Sequence, residues 1–249
     1  MTNFLIEMDA LHNLRAVDGY ITTSGTRMRS EQIYRSGAWE LMTKADRDWF
    51  ADSIKTVIDL RHPDEVLNAS RFSLGQPPAT LIPLSIFPAE ISMEDLTTEK
   101  NKLYGPGIST DRYLHYLKGN GALRFARGVE LIAEKDRHPV LINCTAGKDR
   151  TGILVALVMD LLGIDDDSIG AEYERSNDGI EALIKYLESI GRRPQGTLED
   201  TRAQMETPAK HILGFLEGVR AKYGSVEAMM TSNGVSAQSL EALRELLLD

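Results

Sequence analysis

The decisive stretch is Pro139-Val-Leu-Ile-Asn-Cys-Thr-Ala-Gly-Lys-Asp-Arg-Thr-Gly152, which leads into an apolar run from Ile153 to Leu162. Its first four residues predict a short strand buried on both faces of a sheet, and the later run predicts a central helix over 151–163. Between them lies a loop that contains glycine. In such a strand–loop–helix unit, loop N–H groups and the helix N-terminus can bind an anion. The stretch therefore predicts an α/β fold with an anion-binding loop.

The rest of the chain supports this fold class. The segment 56–60 and the segment 80–87 have strand-like composition, and Pro83 places the second at a sheet edge or a strand end. Residues 111–135 predict helices interrupted near Gly119, and the part from about 178 to 249 is mostly helical. We predict one α/β domain over residues 1–249, with a sheet flanked by helices and a helical C-terminal half.

Composition limits the partners and the cellular location that we expect for the protein. The formal net charge of −9 disfavours nucleic acid and anionic membranes as partners. A single cysteine excludes an internal disulfide, and the N-terminus lacks the basic and apolar regions of a signal peptide. The apolar run 152–164 is too short to span a bilayer. We expect a cytoplasmic protein without stable membrane insertion, and the sequence carries no signal for an oligomeric state.

The only cysteine, Cys144, has Gly at +3, Arg at +6 and Thr at +7. A helix N-terminus and nearby cations such as Lys148 and Arg150 favour the nucleophilic thiolate form of a cysteine. Arg150 can bind two phosphoryl oxygens. Thr151 can donate a hydrogen bond to Cys144 when water splits a phosphocysteine and the thiolate departs from phosphorus. The predicted catalytic residues are Cys144, Asp149, Arg150 and Thr151. The predicted phosphate-binding residues are Thr145, Ala146, Gly147, Lys148, Asp149 and Arg150.

Other loop chemistries fit less well. A Walker-type loop would require Gly at 142 and Ser or Thr at 149, where the chain has Ile142 and Asp149. The segment 105–107 lacks the third glycine of a dinucleotide-binding loop. A sulfurtransferase also uses a loop cysteine, and nothing specifically favours it. No His, Cys and carboxylate cluster has metal-ligand spacing, so we predict no metal and no cofactor.

The segment Cys144–Gly152 resembles the signature loop of the bacterial protein-tyrosine-phosphatase-like family of tyrosine and lipid phosphatases. The resemblance extends over nearly the whole chain, with several motifs in the same order. The other matching segments are Asn13–Tyr20, Ile33–Gly37, Val57–Arg61, Glu172–Asn177, Tyr223–Val226 and Asn233–Ser236.

The resemblance implies a tyrosine-phosphatase-like fold and metal-free hydrolysis through a phosphocysteine. It implies substrates among phosphotyrosine, phosphoserine and phosphothreonine proteins, phosphoinositides or other phospholipids, and small phosphomonoesters. The pair Lys148-Asp149 is associated in the family with the broader range. The expected function is a phosphomonoester hydrolase of tyrosine or dual specificity. The alternative is a weakly active or inactive phosphate-binding pseudophosphatase.

The chain departs from the family pattern in three places, and the departures at positions 143 and 86 motivate the alternative. Asn143 replaces the usual histidine before the cysteine, so it can hydrogen-bond the loop backbone but supplies no imidazolium charge. The position of the family's general acid falls near Ile86, and Ala16 and Asp18 stand where the N-terminal motif has Asp and Gly. Asp149 is then the first candidate for the acid, although its cationic neighbours favour its charged form. The remaining candidates are Glu90, Glu94 and Asp95.

The sequence positions of two arginines and of the histidines do not decide what these residues do. Arg15 and Arg61 either contact substrate or stabilise the loop through ion pairs. Asp59 lies within a strand and is interpreted as structural. The histidines show no mutual spacing typical of a site, and we predict no functional role for them; they are His12, His62, His115, His138 and His211.

Overall fold

A five-stranded sheet forms the centre of the computed structural model, which describes residues 6–71, 75–105, 107–192 and 197–249. The strands are β1 Arg15–Ala16, β2 Ile33–Ser36, β3 Thr56–Asp59, β4 Thr80–Pro83 and β5 Val140–Asn143. Their order is β1-β2-β5-β3-β4, with β1 antiparallel to β2 and the other pairs parallel. The strand predicted before Cys144 is therefore the central one, and the strand that ends at Pro83 lies at an edge.

Helices surround the sheet and make up most of the second half of the chain. In the described ranges they are α1 Lys44–Ser53, α2 Pro63–Ser70, α3 Met93–Tyr104, α4 Thr110–His115, α5 Gly121–Ala133, α6 Asp149–Leu161, α7 Asp166–Glu174, α8 Ile180–Ser189, α9 Leu198–Met205, α10 Ala209–Tyr223, α11 Val226–Ser232 and α12 Ala237–Leu247. The break between α4 and α5 falls at the predicted glycines. The predicted central helix is α6, which begins two residues early, at Asp149. The α/β fold class, with helices flanking a sheet, is confirmed.

Side chains on β5 alternate between two cores, as they must along a strand. Val140 and Ile142 belong to the main cluster, which includes residues of α5 and α6. Leu141 belongs to a second cluster, with Val57 of β3 and Phe50 of α1. Both faces of the sheet are thus covered, which is why the segment 139–142 is apolar throughout.

The register of the parallel strands locates the ligand-binding edge. Asn143 at the end of β5 lies opposite Ser36 of β2 and Asp59 of β3. Ligands of parallel α/β sheets bind outside the carboxyl ends of the strands. Cys144 follows at that edge.

The C-terminal helices pack onto the same body. Helix α10 contacts α4 and α7, and α12 contacts α5. The main apolar cluster extends from Val17 to Leu247. Within the described ranges, no helix combines the length and the apolar character that crossing a membrane requires.

Candidate active site

The loop after Cys144 passes very close to β2. Gly147 has φ +68°, and a Cβ at this position would lie 2.4 Å from the carbonyl carbon and oxygen of Ser36. Both the backbone conformation and the lack of space exclude a larger residue. The glycine at +3 from the cysteine therefore determines the path of the loop.

One side of the loop, here called the carbonyl side, faces three polar side chains. His12 Nε2 lies 3.0 Å from Thr145 O and, because a carbonyl only accepts, donates to it. Asn13 Nδ2 donates to the carbonyls of residues 146 and 147, at 3.2 and 2.9 Å. Arg35 Nη2 donates to the carbonyls of residues 147 and 148, at 2.7 and 3.3 Å. The four carbonyls of residues 145–148 are thereby held.

The opposite side, here called the amide side, carries the N–H groups. A trans peptide places its N–H opposite its C=O, so the N–H groups of residues 146–149 point away from the carbonyl side. Among the described residues, none of the loop N–H groups from 145 to 148 donates to a protein acceptor. Cys144 and Thr151 are buried, and Thr151 Oγ1 has no hydrogen-bond partner in the described ranges. The amide side can therefore bind an anion beside the thiol.

A buried ion cluster supports the carbonyl side. Glu172 of α7 accepts from Arg15 Nε at 2.9 Å and from Arg35 Nη1 at 2.5 Å. Burial opposes its charge, but the two guanidinium groups outweigh burial and lower the pKa of Glu172. Arg15 is fully buried in this cluster. Of the two predicted roles for this arginine, stabilisation of the loop is the one that the geometry supports.

A second carboxylate, Glu65 of α2, holds Arg150. Its two oxygens accept from Nη1 and Nη2 of Arg150 at 2.5 and 2.7 Å, and Thr145 Oγ1 donates to it at 2.6 Å. Burial alone would raise the pKa of Glu65, but Arg150 and Thr145 lower it to about 2. Sequence reasoning missed Glu65. The signal that could have found it is Pro63-Asp64-Glu65, since a proline followed by acidic residues is typical of the first turn of a helix.

Of the four general-acid candidates, Asp149 alone belongs to the loop. Its Oδ1 accepts from the hydroxyl of Tyr113 at 2.5 Å, and this hydroxyl lies 2.5 Å from that of Tyr173. Both tyrosines are buried. The exposed alternatives Glu90, Glu94 and Asp95 lie in or before α3, where Asp95 accepts from the Ser92 hydroxyl at 2.8 Å. Its position next to the loop residues 144–148 is what favours Asp149.

Among the described residues, the Asn143 side chain makes no hydrogen bond to the loop backbone, so the expected contact is absent. Its Nδ2 donates to Asp59 Oδ1 at 3.3 Å, and Asp59 in turn pairs with Arg61 at 2.8 Å. Arg61 also pairs with Glu40, at 2.6 Å, so it stabilises the strand ends under the loop. The histidine that does contact the loop is His12, for which no role was predicted.

A cleft with a volume of about 800 Å³ opens beside the loop. Its loop residues include Ala146 and Lys148, and residues of α8 and α9 form the facing wall. Lys148 Nζ donates to the carbonyl of Met205 at 2.7 Å, which connects the loop to the end of α9. Among the described residues, no group of three or more His, Cys, Asp or Glu could hold a metal ion.

Comparison with known proteins agrees with this arrangement. A model of the tyrosine phosphatase family matches residues 6–249. The triple specificity protein phosphatase PtpB of Mycobacterium tuberculosis is 33% identical over 150 residues, which cover 56% of this chain and 54% of PtpB. The match thus spans about half the length of that relative. A tyrosine-protein phosphatase of Nostoc commune is 27% identical over 225 residues, covering 88% of this chain and 75% of that protein.

Among solved structures, the core catalytic domain of the PP-IP phosphatase SIW14 from S. cerevisiae superposes with a TM-score of 0.37 at 15% identity. That match covers 89% of this chain and 96% of the other. The family model is the stronger finding, because it includes the loop, the side chains of the carbonyl side and the helices that carry Glu65 and Glu172. On that match, with the cysteine loop at its centre, this chain belongs to the tyrosine phosphatase family.

Proposed function

We propose that this protein hydrolyses phosphate monoesters through a covalent phosphocysteine at Cys144. The observation that carries the proposal is the orientation of the loop. Its four carbonyls are bound by His12, Asn13 and Arg35, which leaves the N–H groups of the amide side available to a phosphoryl group. Dipoles fixed before the reaction stabilise developing charge without a cost of reorganisation.

In the first step, the Cys144 thiolate attacks phosphorus and the bond from phosphorus to the leaving oxygen breaks. The loop N–H groups and Arg150 hold the non-bridging oxygens while charge shifts among them. Asp149 gives a proton to the leaving oxygen. Its position at the start of α6, directly after the loop, supports this role, whereas the hydrogen bond that it accepts from Tyr113 favours the carboxylate form.

In the second step, water attacks phosphorus and passes a proton to Asp149, and the bond between phosphorus and sulfur breaks. The thiolate and inorganic phosphate are the products. Thr151 donates a hydrogen bond to the departing sulfur. The burial of its hydroxyl, without a partner among the described residues, supports this assignment.

The test is hydrolysis of an aryl phosphate in the presence of EDTA, followed by acid quench and mass spectrometry. We expect turnover, inhibition by vanadate and a phosphorylated form of the enzyme. Cys144→Ser should abolish turnover, and Thr151→Ala should increase the phosphorylated fraction because it slows the second step. Full turnover by Cys144→Ser would contradict the mechanism.

A phosphate-binding module with little turnover is the second candidate. Asn143 and Ile86 motivate it, and so does Glu65, which occupies both terminal nitrogens of Arg150. Asn143→His separates the two functions. A gain in rate indicates a weakened catalyst, whereas no activity in either form with retained phosphopeptide binding indicates a binding module.

The substrates proposed are phosphoproteins with phosphotyrosine or with phosphoserine and phosphothreonine, phosphoinositides and small phosphomonoesters. The cleft beside Lys148 supports a substrate larger than phosphate itself. Relative kcat/KM values for phosphotyrosine peptides, phosphoserine peptides and phosphoinositides would rank them. We further propose a single domain, supported by the main apolar cluster that includes both halves of the chain, and a cytoplasmic location, supported by the lone cysteine.

A further inference from the structure

A second cavity, of about 300 Å³, lies between the β4–α3 connection and the turn after α4. It shares no lining residue with the loop 144–150. Apolar side chains form much of its wall, and Lys100 of α3 also lines it. The apolar residues are Ile86, Phe87, Ile91, Leu96 and Tyr116. A pocket that combines apolar walls with few polar groups is typical of sites for small organic ligands.

Lys100 is the unusual group in this cavity. It is only 3% exposed, and its Nζ lies 3.8 Å from the centroid of the Phe87 ring and 5.0 Å from that of Tyr116. In the described part of the chain, no carboxylate lies within ion-pair distance of it. Contact with aromatic faces offsets part of the cost of burying an ammonium group, but a buried cation is normally paired.

The charges around Lys100 make its isolation more costly. Burial lowers the pKa of Lys100 to about 7, and the positive charges of Arg150 and Arg112 lower it too, against the opposite effect of Glu65 and Asp149. Lys118 and Arg124 also line the cavity, which gives the wall further positive charge, while Glu99 contributes a carboxylate. An anion in the cavity would supply the partner that Lys100 lacks.

We propose that this cavity is an accessory site for a small organic acid, whose carboxylate binds Lys100 and whose apolar body packs against Phe87, Leu96 and Tyr116. The apolar wall favours such a ligand over an inorganic anion, since only an apolar body gains from contact with it. The size of the cavity suits a single ring or a short aliphatic chain. Phe87 separates this site from the catalytic loop, because its ring also lies 5.4 Å from the Arg150 guanidinium.

The test is a titration of the full chain with benzoate, followed by NMR of isotope-labelled isoleucine methyl groups. Excess inorganic phosphate is present throughout, to compete for the catalytic loop. We expect saturable shifts at Ile86 and Ile91, which line the cavity, and small shifts at Ile153 in α6. Benzyl alcohol, which has the ring without the charge, and acetate, which has the charge without the ring, should each bind at least about tenfold more weakly.

Lysine variants test whether Lys100 is the cation that binds the benzoate carboxylate. Lys100→Met should weaken benzoate binding by about tenfold or more, Lys100→Arg should retain it, and the matched control Lys118→Met, an exposed residue, should change it by less than about threefold. Absence of shifts at Ile86 and Ile91, or equal affinity in Lys100→Met, would overturn the proposal. If Lys100→Met does not fold, the comparison of benzoate with benzyl alcohol on the unaltered protein decides, and equal affinity rejects the site.

Discussion

Two buried carboxylates lie beside the loop that follows Cys144, and they bind arginines in different ways. Glu172, on the carbonyl side, binds Arg15 and Arg35, and Arg35 also donates to the loop backbone. Glu65, on the other side, binds Arg150, the residue proposed to contact phosphate. The shortest contact is 2.5 Å in both clusters, so bond length does not distinguish them. What distinguishes them is what else each arginine binds: Arg35 donates to the loop carbonyls, whereas Arg150 is proposed to bind the phosphoryl group.

The largest effect should come from Arg150→Lys. Lysine keeps the positive charge beside Glu65 but loses the planar guanidinium group, which binds both Glu65 oxygens and is proposed to bind phosphoryl oxygens. An arginine that stabilises a phosphoryl transition state contributes roughly 10³- to 10⁵-fold in kcat, so we expect a loss of about 10⁴-fold in a variant that still folds. Steady-state kinetics with an aryl phosphate and a melting curve provide the measurement. A loss of less than about tenfold would show that Arg150 is structural, like Arg35.

The second largest effect should be a loss of stability caused by a substitution on the carbonyl side of the loop. Arg35→Met removes one cation from a fully buried cluster and leaves the carbonyls of residues 147 and 148 without that donor. Breaking a buried ion pair costs roughly 3–5 kcal/mol, and we expect a loss of that size in the free energy of unfolding from urea titration. The matched control is Arg29→Met, an exposed arginine that pairs with Asp249 at 3.8 Å. Equal losses in both variants would contradict a special role for the buried cluster.

Glu65→Gln should have a smaller effect, visible in the dependence of stability on pH. The pKa of Glu65 is about 2 in the folded protein against an ordinary value of 4.5, so its stabilisation is present above pH 4.5 and is lost as the pH falls from 4.5 to 2. A shift of this size corresponds to about 3 kcal/mol. Unfolding free energies measured across that range should fall less steeply in Glu65→Gln than in the unaltered protein. The exposed carboxylate variant Glu90→Gln should keep the original slope.

The smallest effect should come from His12→Gln, in which the glutamine amide does not reproduce the position of the imidazole N–H that donates to Thr145 O. At pH 7 we expect a loss of about 1 kcal/mol in the free energy of unfolding, the usual net value of a hydrogen bond. Burial lowers the pKa of His12 from 6.5 to about 4, so the unfolded chain binds the proton more readily and the unaltered protein loses stability as the pH falls from 6.5 to 4. His12→Gln should lack that part of the decline. An identical decline in both proteins would assign it to other groups.

Residues close together in the sequence were predicted well. The pattern of apolar residues identified β3, β5 and α6, and the glycines identified the interruption near Gly119. These signals depend only on neighbours along the chain. Helices α2 and α3 were not predicted, since α2 is short and both carry mixed polar faces. The sequence could not show which of the general-acid candidates lies near the loop. The contact between Asp149 and Tyr113, for example, joins residues that lie 36 positions apart.

The sequence by itself determined the chemistry of the loop: one thiol, a glycine at +3 and an arginine at +6, between a buried strand and an apolar helix. It also indicated the family through motifs spread along the chain. Only the tertiary structure decided which distant groups complete the loop: Glu65 on Arg150, His12 and Asn13 on the loop carbonyls, and Glu172 between two arginines. The physical reason is distance along the chain. Periodicity reports local conformation and burial, whereas buried polar pairs form between residues that only the packing of sheet and helices brings together.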